Sequence, residues 1–227
     1  MIINHNLKII FFKTKKTAGT SFEIALSKFC NEGDVITPIS SNDERLRIKL
    51  GFKGAQNYKN ISLSNEGLRF HGQYYNHISS KLIKSIVPKR IWNNYNKMTI
   101  YRNPFDVAIS RYYWEGGEKT GLNYLEYLKK FPHHLTENIR IAPLSGDAVC
   151  DLYLKYEDIK EDLKKNGLNM IWSEFRKINA KSDKRPKIGA SICEIYKKFP
   201  KAIDIINEIC AEEINYFNYP QPNINKK

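Results

Sequence analysis

Hydrophobic and polar positions divide the chain into short segments of two kinds. Residues 7–12 (LKIIFF) are a nearly continuous apolar run, the pattern of a strand buried on both faces of a parallel sheet. The run breaks into small and hydroxylated residues and then resumes with Phe22, Ala25, Leu26 and Phe29 at helical spacing, with Gly33 just past the end. Residues 41–50 open with cap-type residues and predict a helix, whereas 51–76, rich in Gly, Asn and Tyr, predict a long irregular segment. Residues 77–95 predict a helix that turns Leu82, Ile83 and Ile86 inward and is interrupted near Pro88, and 97–101 (KMTIY) predict a strand. Another helix follows, with Asn103 as N-cap, Pro104 in the first turn and Asp106 facing the positive helix end. A helix near 122–130, a turn at Gly146-Asp147, a strand at 151–156 and a helix from about Pro200 bearing Ile203, Ile206, Ile209 and Cys210 complete the pattern. Residues 218–227 are expected to be a loose tail. Strands alternating with helices predict an α/β fold whose sheet is covered on both faces. No linker-like stretch divides residues 1–227, so one domain is expected.

The chemistry concentrates where the pattern changes from strand to helix. Lys16-Thr17-Ala18-Gly19-Thr20-Ser21 joins the first strand to its helix, and such a turn gathers backbone N–H groups into an anion-binding concavity. The order differs from a Walker A loop, G-x-x-x-x-G-K-[ST], because Lys16 precedes Gly19 by three residues. Arg102 at the end of the second strand and Ser110 two turns into the next helix form a second cationic and hydroxyl pair. Plainer roles compete: a solvated loop lysine for Lys16, an ion pair to Asp106 for Arg102, an ordinary helix hydroxyl for Ser110.

Lys16 to Ser21 resembles the 5′-phosphosulfate loop of sulfotransferases that use 3′-phosphoadenosine 5′-phosphosulfate (PAPS). Tyr101-Arg102-Asn103-Pro104 through Ser110-Arg111-Tyr112 resembles their 3′-phosphate motif. The blocks YYNHISSKLIKSI and LYLKYEDIKEDL are similar to segments of the bacterial and viral carbohydrate-type members, so the resemblance runs from about residue 9 to the C-terminal helix. The chain departs from many relatives in carrying Lys15 where they have proline. The resemblance implies a P-loop-like three-layer fold with a central, mostly parallel sheet. It implies sulfuryl transfer from PAPS to an acceptor hydroxyl on a carbohydrate, with release of the bisphosphate product PAP and no metal. Lys16, Thr17, Ala18, Gly19, Thr20 and Ser21 would hold the 5′-phosphosulfate, and Arg102 and Ser110 the 3′-phosphate. Of the five histidines, His77 is the first candidate for the base that takes the acceptor proton and His71 the second; a capping or core role for His77 weighs nearly as much.

Composition narrows the alternatives. The formal charge of +13 points to anionic partners, although Lys is spread through the whole chain. Cys30, Cys150, Cys193 and Cys210 show no metal-ligand spacing and suit thiols in a reducing compartment. No signal-peptide pattern or long apolar segment is present, so a cytoplasmic protein is expected. The rivals are a P-loop-type nucleotide kinase or ATPase, and a non-enzymatic module for nucleic acid or other polyanions; a stable nucleic-acid partner is not expected under the sulfotransferase reading.

Overall fold

The computed structural model describes residues 1–59, 61–65, 68–178, 180 and 184–224, the side chains of 61–65, 68–71 and 118 excepted. It falls into two compact units, Met1–Tyr101 with Arg140–Ala180, and Arg102–Ile139 with Lys181–Lys227.

The first unit is α/β. Its mixed sheet contains β1 (Ile2–Asn4), β2 (Ile9–Phe12), β3 (Val35–Ile36), β6 (Asn96–Tyr101) and β7 (Leu152–Lys155) in the order β3-β1-β2-β6-β7. β2, β6 and β7 run parallel, and β1 is antiparallel to both β2 and β3. All four residues of β2 are buried, and alternate side chains enter different cores. Ile9 and Phe11 pack with Phe22 and Leu26 of α1 (Gly19–Ser27), Leu163 of α8 (Ile159–Lys165) and Ile171 of α9 (Asn169–Phe175). Ile10 and Phe12 pack with Ile83 of α3 (Ser80–Ile86) and Trp92 of α4 (Lys89–Asn94). Helices therefore cover both faces, which explains why the strand is apolar throughout rather than alternating. The same demand makes α1 buried at every one of its residues, not along one stripe.

The remaining elements of this unit refine the expectations. α2 (Ser41–Lys49) begins where its cap residues predict, with the Ser40 hydroxyl accepting from the Asp43 amide. The predicted helix over 77–95 is two helices, α3 and α4, separated at Pro88. The segment 51–76, expected to be irregular, contains the antiparallel hairpin β4 (Ile61–Asn65) and β5 (Leu68–Gly72).

The second unit is helical. α5 (Pro104–Trp114), α6 (Tyr124–Lys130), α10 (Ile192–Lys198), α11 (Lys201–Ile209) and α12 (Ala211–Phe217) enclose a core rich in tyrosine; α7 (Glu137–Ile141) starts in this unit. Buried hydroxyls need partners, and these have them: Tyr124 and Tyr196 share a hydrogen bond of 2.8 Å, and Tyr196 donates to the Phe105 carbonyl at 2.8 Å. α5 starts as its sequence predicts, with the Asn103 side chain accepting from the Phe105 amide at 3.0 Å and Pro104 in the first turn. The helix predicted from Pro200 is α11; it turns Ile206 fully inward, and Cys210 is buried just past its end. The expected loose tail is tied down in part: Tyr219 is buried and Ile224 packs on the core, while 225–227 lie outside the described residues.

Among the described residues, no helix is long and apolar enough to cross a membrane. Cys30, Cys150 and Cys210 are buried free thiols, and burial pushes the Cys30 thiol up to about 12.

Candidate functional site

The first motif sits where β2 gives way to α1. β2 and β6 are parallel neighbours with Phe12 opposite Thr99, so the loop 13–18 leaves the sheet at the edge where β6 also ends. That carboxyl edge is where α/β sheets bind ligands. The Thr14 hydroxyl donates to the Ile100 carbonyl and shares a 2.8 Å hydrogen bond with the Thr17 hydroxyl, fixing the loop to β6.

The loop backbone is unusual for its residue types. Lys16 has φ 63° and Ala18 has φ 60°, both in the left-handed region that side chains other than glycine rarely adopt, while Thr17 between them does not. Residues alternating across the two sides of the map form a nest, a concavity lined by successive N–H groups. α1 then begins without a side-chain cap, because Ala18 at its N-cap offers no acceptor. The first helical bond runs from the Phe22 amide to the Ala18 carbonyl at 3.2 Å. The amides of Gly19, Thr20 and Ser21 therefore have no intrahelical partner, although these residues are buried. An anion supplies what such a terminus lacks.

Gly19 is explained by packing. A Cβ there would come within 2.8 Å of Lys13 Cγ and 3.3 Å of the Thr14 carbonyl oxygen. The Ser21 hydroxyl accepts from the Ala180 amide at 3.2 Å, so it also ties α1 to the end of this unit.

Beneath the loop lies an ion network that the sequence did not reveal. Lys13 Nζ is 2.8 Å from Glu23 Oε2, the other oxygen of Glu23 pairs with the Met1 ammonium, and all three groups are buried. Burial pushes the Glu23 carboxyl up, but Lys13 and the Met1 ammonium outweigh it and hold the group at about 2. Lys13 is thus fixed beneath the loop by a charge on the helix that the loop begins.

His77 meets this loop through its backbone. Its Nδ1 is 2.8 Å from the Lys13 carbonyl oxygen, and since that oxygen can only accept, Nδ1 carries the proton. Nε2 is then the acceptor nitrogen, the tautomer a general base requires. Burial, with help from the Lys13 charge, lowers the His77 pKa to about 4, so the ring is neutral at neutral pH. His77 has φ 62°, a third non-glycine residue in the left-handed region around this loop. It does not open or cap α3: that helix begins at Ser80, and the Ser79 hydroxyl caps it by accepting from Leu82. His71 falls on β5, and its side chain lies outside the described residues.

The second motif belongs to the second unit. Arg102 precedes α5 and pairs with Asp106 one turn on; Ser110 follows on the same helix face at the next i+4 position. Asp106 also pairs with Arg185, whose Nε donates to the Ala190 carbonyl at 2.7 Å. The ion pair weighed for Arg102 in the sequence exists, but as half of a cluster in which two arginines share one carboxylate. Arg185 is the residue that sequence reasoning missed here; only the pairing with Asp106, 79 residues away, reveals it.

The structure thus gathers the 16–21 loop and His77 in one unit, and Arg102, Asp106 and Arg185 in the other. Comparisons of the chain with family models, curated proteins and solved structures found no match.

Proposed function

We propose that the chain is a PAPS-dependent sulfotransferase with a P-loop-like fold, moving a sulfuryl group to an acceptor hydroxyl on a carbohydrate and releasing PAP. The observation that carries this reading is the loop at 16–21: two left-handed non-glycine residues lead into a helix whose first three amides have no intrahelical partner and no side-chain cap. Such a concavity suits a phosphosulfate, and its sequence is the one that resembles the family.

In this reading the acceptor oxygen attacks sulfur in line while His77 Nε2 takes its proton. Lys16 neutralises the charge that grows on the oxygen bridging phosphorus and sulfur as that bond breaks, a contact stronger in the transition state than in the ground state. The negative charge of the bound donor raises the His77 pKa from its low resting value toward the operating pH. Arg102 and Ser110 bind the 3′-phosphate, and Arg185 joins them because it shares the same carboxylate.

The reading also separates sulfuryl from phosphoryl transfer. Kinase-type sites place an acidic, metal-holding residue at a strand end, whereas here the residue after β6 is Arg102. Transfer of labelled sulfate from PAPS to a carbohydrate acceptor should persist in excess EDTA, with no comparable ATP hydrolysis when Mg²⁺ is supplied. Strict Mg²⁺ dependence together with ATP turnover would replace this reading by the kinase alternative.

A further inference from the structure

The second unit holds a cavity of about 280 Å³ that neither motif uses. It lies among the end of α5, the turn before α6 and the end of α10, and its wall is aromatic. Tyr112 meets Tyr113 edge-on at 5.1 Å and Tyr124 at 5.5 Å, and Tyr124 meets Phe199 at 6.0 Å, so these rings brace one another. Two of the hydroxyls are engaged in the protein: Tyr112 donates to the Leu122 carbonyl at 2.9 Å, and Tyr124 bonds Tyr196. Tyr112 and Tyr124 therefore offer the cavity ring surface rather than hydroxyl groups.

Besides the tyrosine hydroxyls, its polar side chains are Lys198 and Asn123. Lys198 is exposed, with Nζ 5.4 Å from the centre of the Phe199 ring. Asn123 also lines the cavity; its Oδ1 accepts from the Glu126 amide at 3.0 Å, and its Nδ2 can only donate. Among the described residues, no acidic side chain lines the cavity. Gly121 and Gly189 stand at its edge with open space where a Cβ would be, so nothing from them narrows it. A cation and an amide donor beside a wall of rings select an anion carried on a ring, and the volume fits a single ring with one substituent.

We propose that this cavity binds a small ring compound bearing one carboxylate or sulfate group, with the ring against Tyr113 and Phe199 and the anion at Lys198 and Asn123. An anionic monosaccharide and an aromatic acid or sulfate share this chemistry. The proposal does not rest on sulfuryl transfer and stands or falls separately from it.

Calorimetric titration of the full chain with glucose 6-sulfate and with 4-nitrophenyl sulfate tests it, with glucose and 4-nitrophenol as neutral counterparts. At least one sulfate should bind about tenfold or more tightly than its neutral counterpart, and whichever binds more tightly identifies the source. Saturating PAP should leave that binding in place. Lys198→Gln, at an exposed position, should weaken it about tenfold, the loss of one charge-assisted hydrogen bond. Tyr113→Leu should weaken the sulfate and its neutral counterpart alike. Equal affinity for charged and neutral rings, displacement by PAP, or an unaffected Lys198→Gln variant would overturn the proposal.

Discussion

The two motif regions would meet anions by different physical means. At 16–21 the donors are backbone amides, held in place by left-handed residues at Lys16 and Ala18 and by a fully buried Lys13–Glu23 pair beneath them. At Arg102 the donors are side chains that already share a counter-ion, Asp106, and all three groups keep some exposure: 18% for Arg102, 15% for Asp106 and 25% for Arg185. The first region is preorganised, with its strain and ion pairing set by the fold. The second is adjustable, because a phosphate there would have to share two arginines with the carboxylate beside them. Preorganised amides suit the group that reacts, whose charge changes during the reaction, and a side-chain cluster suits a group that only anchors.

The largest expected effect is at His77. His77→Ala should lower turnover by roughly 100- to 10,000-fold with PAP affinity largely kept; full activity in this variant, or loss only in His71→Ala, moves the role elsewhere. Lys16→Ala should reduce sulfuryl transfer much more than PAP affinity, since its partner is transition-state charge, and unchanged turnover would remove Lys16 from the chemistry.

The buried and the part-exposed carboxylates should separate in stability. Glu23→Gln leaves Lys13 without its counter-charge in the interior, at a cost of about 3–5 kcal/mol. Asp106→Asn should cost about 1 kcal/mol or less, because water reaches its partners. Denaturant melts that give the two variants equal losses would erase the contrast between the regions.

Ligand affinity sharpens the second region. Arg102→Ala should weaken PAP by about 1.5–3 kcal/mol and Ser110→Ala by less. Adenosine 5′-phosphosulfate, which lacks the 3′-phosphate, is the control: equal weakening for both ligands contradicts the assignment.

Acid should act on the first region. His77 has a folded pKa of about 4 against an ordinary 6.5, so between those values the unfolded chain binds more protons. The stability contribution is complete above about pH 6.5 and is lost as the pH falls toward 4, by about 3 kcal/mol. Glu23, held at about 2, loses its contribution lower still, as the pH falls below its ordinary 4.5. A His77→Gln variant should lack the upper step; an identical pH profile would show that the imidazole is not the group responsible.

What was legible in the sequence followed from local rules. β2 carries a continuous apolar run, β6 a short β-prone stretch and the start of α5 its cap residues, signals that act over a few positions. β1 and β3, of three and two residues, are too short for any period and exist through pairing with β2 and with each other. The hairpin β4–β5 carries an alternation in Ile61-Ser62-Leu63-Ser64 that the surrounding Gly and Asn concealed. The candidate loop was legible as a strand-to-helix turn, but its conformation was not, because Lys and Ala are poor left-handed residues and only tertiary context holds them there. Glu23 could be read only as one polar position on an apolar helix. Its partners lie 10 and 22 residues away and meet it through the sheet.

The most direct test of the account is calorimetric titration of the protein with PAP in the presence of EDTA. The account predicts saturable binding at one site, with the His77 imidazole signal followed by NMR in the same titration moving from a pKa of about 4 to a higher value as the bound phosphates favour its charged form. No PAP binding under these conditions, or binding that leaves the His77 titration unchanged, would contradict it.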